Sequence, residues 1–304
     1  MPPSKLKILG IGEILWDLLP SGKQLGGAPA NFTCHAHALG ADARLVSRVG
    51  DDPLGREILA RWRERGLPTE TIGSDAQAPT GTVSVALADD GQPQFTIREN
   101  VAWDRIEATP AALAAAGEAD AVCFGTLAQR SESNREAIRE LLAATRPDAL
   151  RIFDVNFRPP FVDAAILTDS LALANILKLN DHELPVLAAL FGIGGTPADQ
   201  FAALAARFDL RVVTLTRGGN GSLIHASGEC SEHPGERTKV LDTVGAGDAF
   251  TAAMTIGLLR GWNLERINQR ANTVAAFVCS QPGATPPLPE DIRRCFADAS
   301  DGMR

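Results

Sequence analysis

The sequence predicts an α/β protein: a doubly wound, mostly parallel sheet flanked by helices, with a small β lid beside it. Short apolar, β-branched runs alternate with longer helical patterns, as in a parallel sheet covered on both faces. The runs are almost wholly apolar rather than alternating, which puts both of their faces inside. Two segments, 13–25 and 80–98, break the rhythm and are assigned to the lid. With 304 residues and 45% hydrophobic content the chain can bury a large core, so one domain over 1–304 is expected.

Taken in order, LKILGIG (6–12) reads as the first strand. No helix pattern follows it over 13–25. GGAPANFTCHAHALG (26–40) opens with a Gly pair, continues as a helix and closes at Gly40. The Asp51-Asp52 pair reads as a helix cap or turn. TGTVSVALADDGQPQFTIR (80–98) reads as a hairpin turning at Asp90-Gly91. AVCFG (121–125), RIFDVN (151–156), ILKLN (176–180) and RVVTLT (211–216) supply further strands. Helical patterns cover 134–145, 197–207 and 246–260, the last ended by Gly261. The tail SDGMR reads as frayed.

Lys and Arg number 29 against 37 Asp and Glu, a net charge of −8. That excludes a nucleic-acid surface and a polybasic membrane anchor. No apolar stretch is long enough to span a bilayer, and the N-terminus lacks a signal-peptide pattern. The five cysteines are widely spaced without a CxxC, which fits free thiols in a reducing cytoplasm. Cys123 and Cys279 are expected to pack in the core. CHAH at 34–37 has no second Cys/His cluster to complete a metal site. GIGEIL lacks the third glycine of a dinucleotide fingerprint, and the Gly22-Lys23 pair lacks the rest of a Walker loop.

Chemistry concentrates in LDTVGAGDAF (241–250). Gly245, Ala246 and Gly247 strip one turn of side chains just where a helix begins. Free amides and the helix dipole there suit an anion. Asp248 would repel a bound anion, so its place makes sense if it takes a proton from a hydroxyl attacking a phosphate. Near the other end, Asp17 and Asn31 beside a Gly-Gly backbone offer the acceptors and donors that a polyhydroxylated ligand needs.

These stretches resemble the ribokinase-type (PfkB) carbohydrate kinases over essentially the whole chain. The N-terminal signature is Gly26-Gly27, Pro29, Asn31, Thr33, Gly40 and Gly50. The C-terminal one is Asp242-Thr243, Gly245-Ala246-Gly247-Asp248 and Ala252-Ala253. KLNDHEL carries an Asn-x-x-Glu element as Asn180 and Glu183, and TRGGNG a nucleotide loop as Thr216, Gly218 and Gly221. The resemblance implies a ribokinase-type fold and transfer of the γ-phosphoryl group of ATP to a sugar. It implies Asp248 as general base and the amides of 245–248 as the anion hole. Asp17, Gly27 and Asn31 would hold the sugar. Asn180 and Glu183 would organise Mg²⁺ and phosphates, Glu183 through water. Asn272 and the loop 280–284 with Gly283 would meet adenine. Asp242 and that loop would surround a monovalent cation, potassium.

DVNFRP (154–159) and GEILWDLLP (12–20) look most like bacterial fructokinases, so fructose is the expected substrate. Arg98 and Arg158 decide the matter. If either faces the pocket unpaired, 2-keto-3-deoxygluconate becomes the better substrate; other sugars and nucleosides stay open. No tyrosine hydroxyl can read the substrate, because the chain has no Tyr. A sugar sensor without turnover would have no use for Asp248. A lid with an open edge also suggests a homodimer.

Overall fold

A computed structural model describes residues 5–20, 22–87 and 93–297. The chain begins with β1 (Lys7–Ile11), β2 (Leu15–Leu19), β3 (Gly22–Gly26), α1 (Ala28–Ala38), β4 (Asp42–Gly50), α2 (Pro53–Glu64) and β5 (Ile72–Asp75). It continues with β6 (Gly81–Leu87), β7 (Pro93–Ile97), α3 (Pro110–Glu118), β8 (Ala121–Gly125), α4 (Glu132–Ala143), β9 (Leu150–Asp154), α5 (Ala164–Leu173) and β10 (Ile176–Asn180). The last part holds α6 (Glu183–Phe191), α7 (Pro197–Phe208), β11 (Val212–Thr216), β12 (Ser222–Ala226), β13 (Glu229–His233), α8 (Ala246–Leu259), α9 (Leu264–Cys279) and α10 (Glu290–Cys295).

The large sheet has nine strands in the order β13-β12-β11-β10-β9-β8-β1-β4-β5. Seven run parallel, and β12 and β13 close one edge as an antiparallel hairpin. Successive strand residues feed opposite cores, as the period of two requires. Ile152 and Ile176 pack with Phe250, Ile256 and Val274 from α8 and α9. Phe153 and Leu177 pack with Leu141, Leu171 and Phe201 from α4, α5 and α7. Phe124 and Phe153 stack across β8 and β9 at 5.4 Å between ring centres.

A second sheet has the order β3-β2-β6-β7. It joins the two segments that broke the sequence rhythm, with β2 and β6 parallel. Its own small core is Leu15, Val83, Val101, Trp103 and Leu127. Arg130 anchors it by a bidentate ion pair to Asp104, at 2.6 and 2.8 Å, and lies over the Trp103 ring. The expected turn at Asp90-Gly91 and the frayed tail lie outside the described residues.

Each expected strand and helix appears with its ends shifted by one or two residues. The expected cap at Asp52 is present: its side chain accepts from Gly55 N at 2.8 Å and starts α2. Strands β4 and β5 escaped the sequence reading. In β4, DARLVSRVG, the charges of Asp42, Arg44 and Arg48 mask an interior strand. Arg48 is tolerated because it reaches the margin and pairs with Asp75 and Glu107.

Candidate active site

The strand order turns at β1, which has β4 on one side and β8 on the other. Crossovers leave in opposite directions there, so the carboxyl ends of β1 and β8 open a crevice. Glu13, Gly125, Thr126, Asp154, Asn156, Arg158 and Asp248 line a small gap at that point. Its enclosed volume is about 20 Å³, room for one water at the inner end of the crevice.

Helix α8 aims its first turn at this gap. Gly245 precedes the helix at φ 79°, and a Cβ there would stand 2.2 Å from the Ala284 carbonyl oxygen. Only glycine fits that contact and that dihedral. Among the described residues the amides of Gly245, Gly247 and Asp248 donate to no backbone carbonyl, whereas Ala246 N–H turns back on Thr243 O at 3.3 Å. The structure therefore presents three free amides where the sequence suggested four.

Asp248 is 9% exposed. Burial, with Asp154 adding to it, pushes its pKa up to about 6; the Asn31 hydrogen bond, Lys178 and Arg158 act the other way. Asn31 Nδ2 donates to Asp248 Oδ2 at 2.9 Å. The expected sugar-side amide thus also fixes the carboxylate and ties α1 to α8.

Behind Asp248 stands a charge cluster that the sequence reading missed. Lys178 Nζ donates to Asp154 Oδ1 at 3.0 Å, both side chains buried. Thr251 Oγ1 lies 3.0 Å from Asp154 Oδ2 and 2.9 Å from Gly247 O. A Cβ on Gly247 would sit 3.2 Å from Lys178 Nζ, so the ammonium lies directly under the anion-binding turn. Burial opposes the Lys178 charge, but Asp154 and Glu183 outweigh it and raise its pKa. A signal was present: Lys178 and Asp154 are charges inside otherwise apolar strands.

On the side of the crevice next to β2, Asp17 projects from that strand, and burial raises its pKa to about 6. Gly26 makes room for it, since a Cβ would meet Asp17 Oδ2 at 2.2 Å. Glu13 is a second residue missed, a carboxylate in an apolar run. It is buried, accepts from Ala28 N at 3.1 Å, and desolvation raises its pKa to about 7. Gly27 caps α1 with its Cα against Glu13 O. Arg158 lines the gap; its Nη1 donates to its neighbour Phe157 O, and among the described residues it has no carboxylate ion pair. Arg98 is exposed, and its carbonyl accepts from Arg130. Cys123, expected as plain core, is buried but also lines the gap.

On the other side, Glu183 accepts from Phe157 N and Asn180 N at 2.9 and 2.8 Å, while Asn180 Oδ1 accepts from His182 N and Glu183 N. Thr216 pairs in register with Asn180. Gly218 and Gly221 hold positive φ in the following turn, with open space beside Gly218. Asn272, expected beside adenine, lies on α9. It is buried, and its amide donates to Ser222 Oγ and Asn268 O inside the α9–β12 packing. Asp242 accepts from Val244 N and Gly283 N at 3.0 Å, joining the loops before and after the α8–α9 pair. Cys279 is half-buried rather than core. His35 is spent on Ala284 O at 2.9 Å, and among the described residues no three His, Cys, Asp or Glu side chains converge on a metal-sized site.

A doubly wound sheet with a second, smaller β sheet beside it, and a helix turn stripped of side chains at the switch point, is the ribokinase-like architecture. The chain belongs to the pfkB family of carbohydrate kinases, whose family model matches residues 21–291. A fructokinase from Klebsiella pneumoniae is 31% identical, with 95% of this chain and 98% of that protein covered. An uncharacterised sugar kinase from Pyrococcus horikoshii, solved with ATP, is 27% identical with a TM-score of 0.81, covering 95% of this chain and 99% of that one. A fructokinase from Xylella fastidiosa with bound ATP shares the fold at 24% identity and a TM-score of 0.84, covering 96% and 98%. No helix among the described residues is long and apolar enough to cross a membrane.

The raised pKa of Glu13 has a stability consequence. Such a carboxyl keeps its proton to higher pH when folded, so its contribution to stability falls as pH rises from 4.5 to about 7. Asp17 and Asp248 act in the same sense. Glu13→Gln removes the largest of these terms. In urea unfolding it should be more stable than wild type at pH 8, by about 1–3 kcal/mol, and close to it at pH 4. Equal differences at both pH values would show that folding does not raise the Glu13 pKa.

Proposed function

We propose that this kinase transfers the γ-phosphoryl group of ATP to a terminal hydroxyl of fructose, with Asp248 as general base. The observation that carries the reading is a buried carboxylate beside three free amides at a helix N-terminus. Asn31 holds Asp248 Oδ2, which leaves Oδ1 for the attacking hydroxyl. The raised pKa makes the carboxylate a better proton acceptor. As the hydroxyl oxygen attacks, its proton passes to Asp248, and the amides of Gly245, Gly247 and Asp248 take up the charge on the transferring group.

The phosphates of ATP would lie along Asn180, Glu183, Thr216, Gly218 and Gly221. The donor set fits Mg²⁺ held through water: both Glu183 oxygens already accept backbone N–H groups, and each keeps a second lone pair. Mg²⁺ when bound neutralises charge on the β- and γ-phosphates. Asn272 would support the adenine pocket from behind, with Gly283 at its rim. Asp242, whose oxygens tie two loops together, is our candidate for one ligand of a monovalent cation.

Fructose is favoured over a sugar acid by charge. Glu13 and Asp248 line the gap beside one Arg158, Asp154 there being paired with Lys178, and Asp17 flanks it. Two like charges about 4 Å apart at an effective dielectric near 20 cost about 4 kcal/mol. The sugar would reach beyond the enclosed end of the gap toward Asp17, Gly27 and Arg98 under the second sheet, acting as a lid. One observation favours 2-keto-3-deoxygluconate instead: Arg158 faces the gap without a carboxylate ion pair, the condition set above for a sugar acid.

Asp248→Ala should lower turnover about 10²–10⁴-fold with sugar binding retained in calorimetry. The wild-type kcat/KM should fall as pH drops through about 6. A variant turning over within about threefold of wild type would remove Asp248 from the chemistry. The substrate is read by comparing kcat/KM on fructose, ribose, 2-keto-3-deoxygluconate and nucleosides. Fructose should lead; a sugar acid ahead by about tenfold, or about 1.4 kcal/mol at the barrier, transfers the assignment to it. No ATP consumption with any sugar would leave a binding protein without turnover. The lid sheet ends at β3 and β7, and a second copy pairing there would cover an edge. Sedimentation at micromolar concentration should then give a dimer, and a monomer removes that reading.

A further inference from the structure

A second cavity, of about 520 Å³, lies between α1, the end of α2, the segment 285–288 and α10. It is lined by the unabsorbed CHAH stretch, through Cys34, His35 and His37, and by Arg65, Thr285 and Arg293. None of the described lining residues is acidic, in a chain of net charge −8. Among the described residues neither Arg65 nor Arg293 has a carboxylate partner, whereas Arg56, Arg61, Arg139 and Arg294 each do. Arg65 Nη1 donates to Thr285 Oγ1 at 2.7 Å and to Thr285 O at 3.5 Å, and its side chain also hydrogen-bonds Cys34, which leaves part of its five donors for a ligand. Two guanidinium groups lining one cavity, whose other walls include Leu67, Pro286, Pro287 and Leu288, match a phosphate dianion in charge.

The cavity also touches the anion hole through one short segment. Thr285 is held by Arg65. Ala284 O accepts from His35, whose ring burial keeps neutral by pulling its pKa to about 4. The same Ala284 backbone is the surface against which Gly245 packs. Gly283 N–H donates to Asp242. Any ligand that pulls on Arg65 therefore loads Thr285, then Ala284, then the turn that begins α8.

We propose that this cavity is an effector site for a phosphate monoester or free phosphate, held by Arg65 and Arg293 and read at the anion hole through Thr285 and Ala284. Binding stands on the cavity alone; its effect on turnover rests on the phosphoryl-transfer reading above.

The test is hydrogen exchange of the full chain titrated with inorganic phosphate and, separately, with a hexose monophosphate. In wild type either probe should slow exchange in peptides covering 34–38 and 284–293. Arg293→Gln, an exposed substitution outside the catalytic machinery, should raise the midpoint at least tenfold, or about 1.4 kcal/mol. Its kcat/KM without added phosphate should match wild type. Arg65→Gln should weaken the same protection and also change KM for ATP, because Thr285 loses its donor. Protection by the monoester alone assigns the site to a phosphorylated sugar, and equal protection by both assigns it to phosphate itself. The proposal is overturned if about 10 mM of each probe leaves both peptides unchanged, protects only 243–249, or protects Arg293→Gln as well as wild type. Arg293-dependent protection in a chain with no kinase activity would sink the functional reading and leave this site standing.

Discussion

A lysine ammonium buried in the middle of the sheet organises the candidate site. Lys178 and Asp154 are neighbours in register on β10 and β9, 3.0 Å apart at their charged ends. An ion pair so placed adds little net stability, but removing one partner strands the other charge, typically a loss of 3–5 kcal/mol. Its consequences spread outward. The second Asp154 oxygen is met by Thr251 on α8, which seats the first turn of that helix. The ammonium lies beneath Gly247 and lowers the Asp248 pKa that burial raises. Glu183, opposing the same cation, closes the turn from β10 into α6. The two sides of the crevice thus share one buried charge balance.

Desolvation is the second constraint. Glu13, Asp17 and Asp248 all have raised pKa values, and burial is the first cause in each. A site that withdraws carboxylates from water makes better bases of them and sacrifices some folded-state stability at neutral pH. It also makes a poor host for an anion on the sugar side, with Arg158 as the counterweight among the lining residues. Around the turn 245–248 the surroundings differ, with free amides and a buried ammonium beside the Asp248 carboxylate.

Topology explains why such distant residues meet. Glu13 and Asp154 lie at or just past the carboxyl ends of parallel strands β1 and β9, and Phe124 and Lys178 within the last three residues of β8 and β10. Parallel strands connected by helices bring all those ends to one edge, so chain separation does not matter. The second sheet follows the same logic: β2 and β6 come from separate segments, yet pair side by side.

By itself the sequence determined the alternation of strands and helices, the two segments that form the second sheet, and the turn stripped of side chains where α8 begins. Each is a local property: apolar period, turn chemistry, or side chains missing where an anion must approach. It also marked the family through glycines whose backbone no other residue could adopt, such as Gly245. Tertiary structure alone decided that Glu13 and Lys178 belong to the site, because a charge in an apolar run has no partner until distant strands come together. Only the fold turned Asn272 inward against Ser222, spent one of the four turn amides on Thr243, and left Arg158 facing the gap. Those outcomes depend on which groups are desolvated together, and desolvation is a property of the packed chain rather than of any stretch of it.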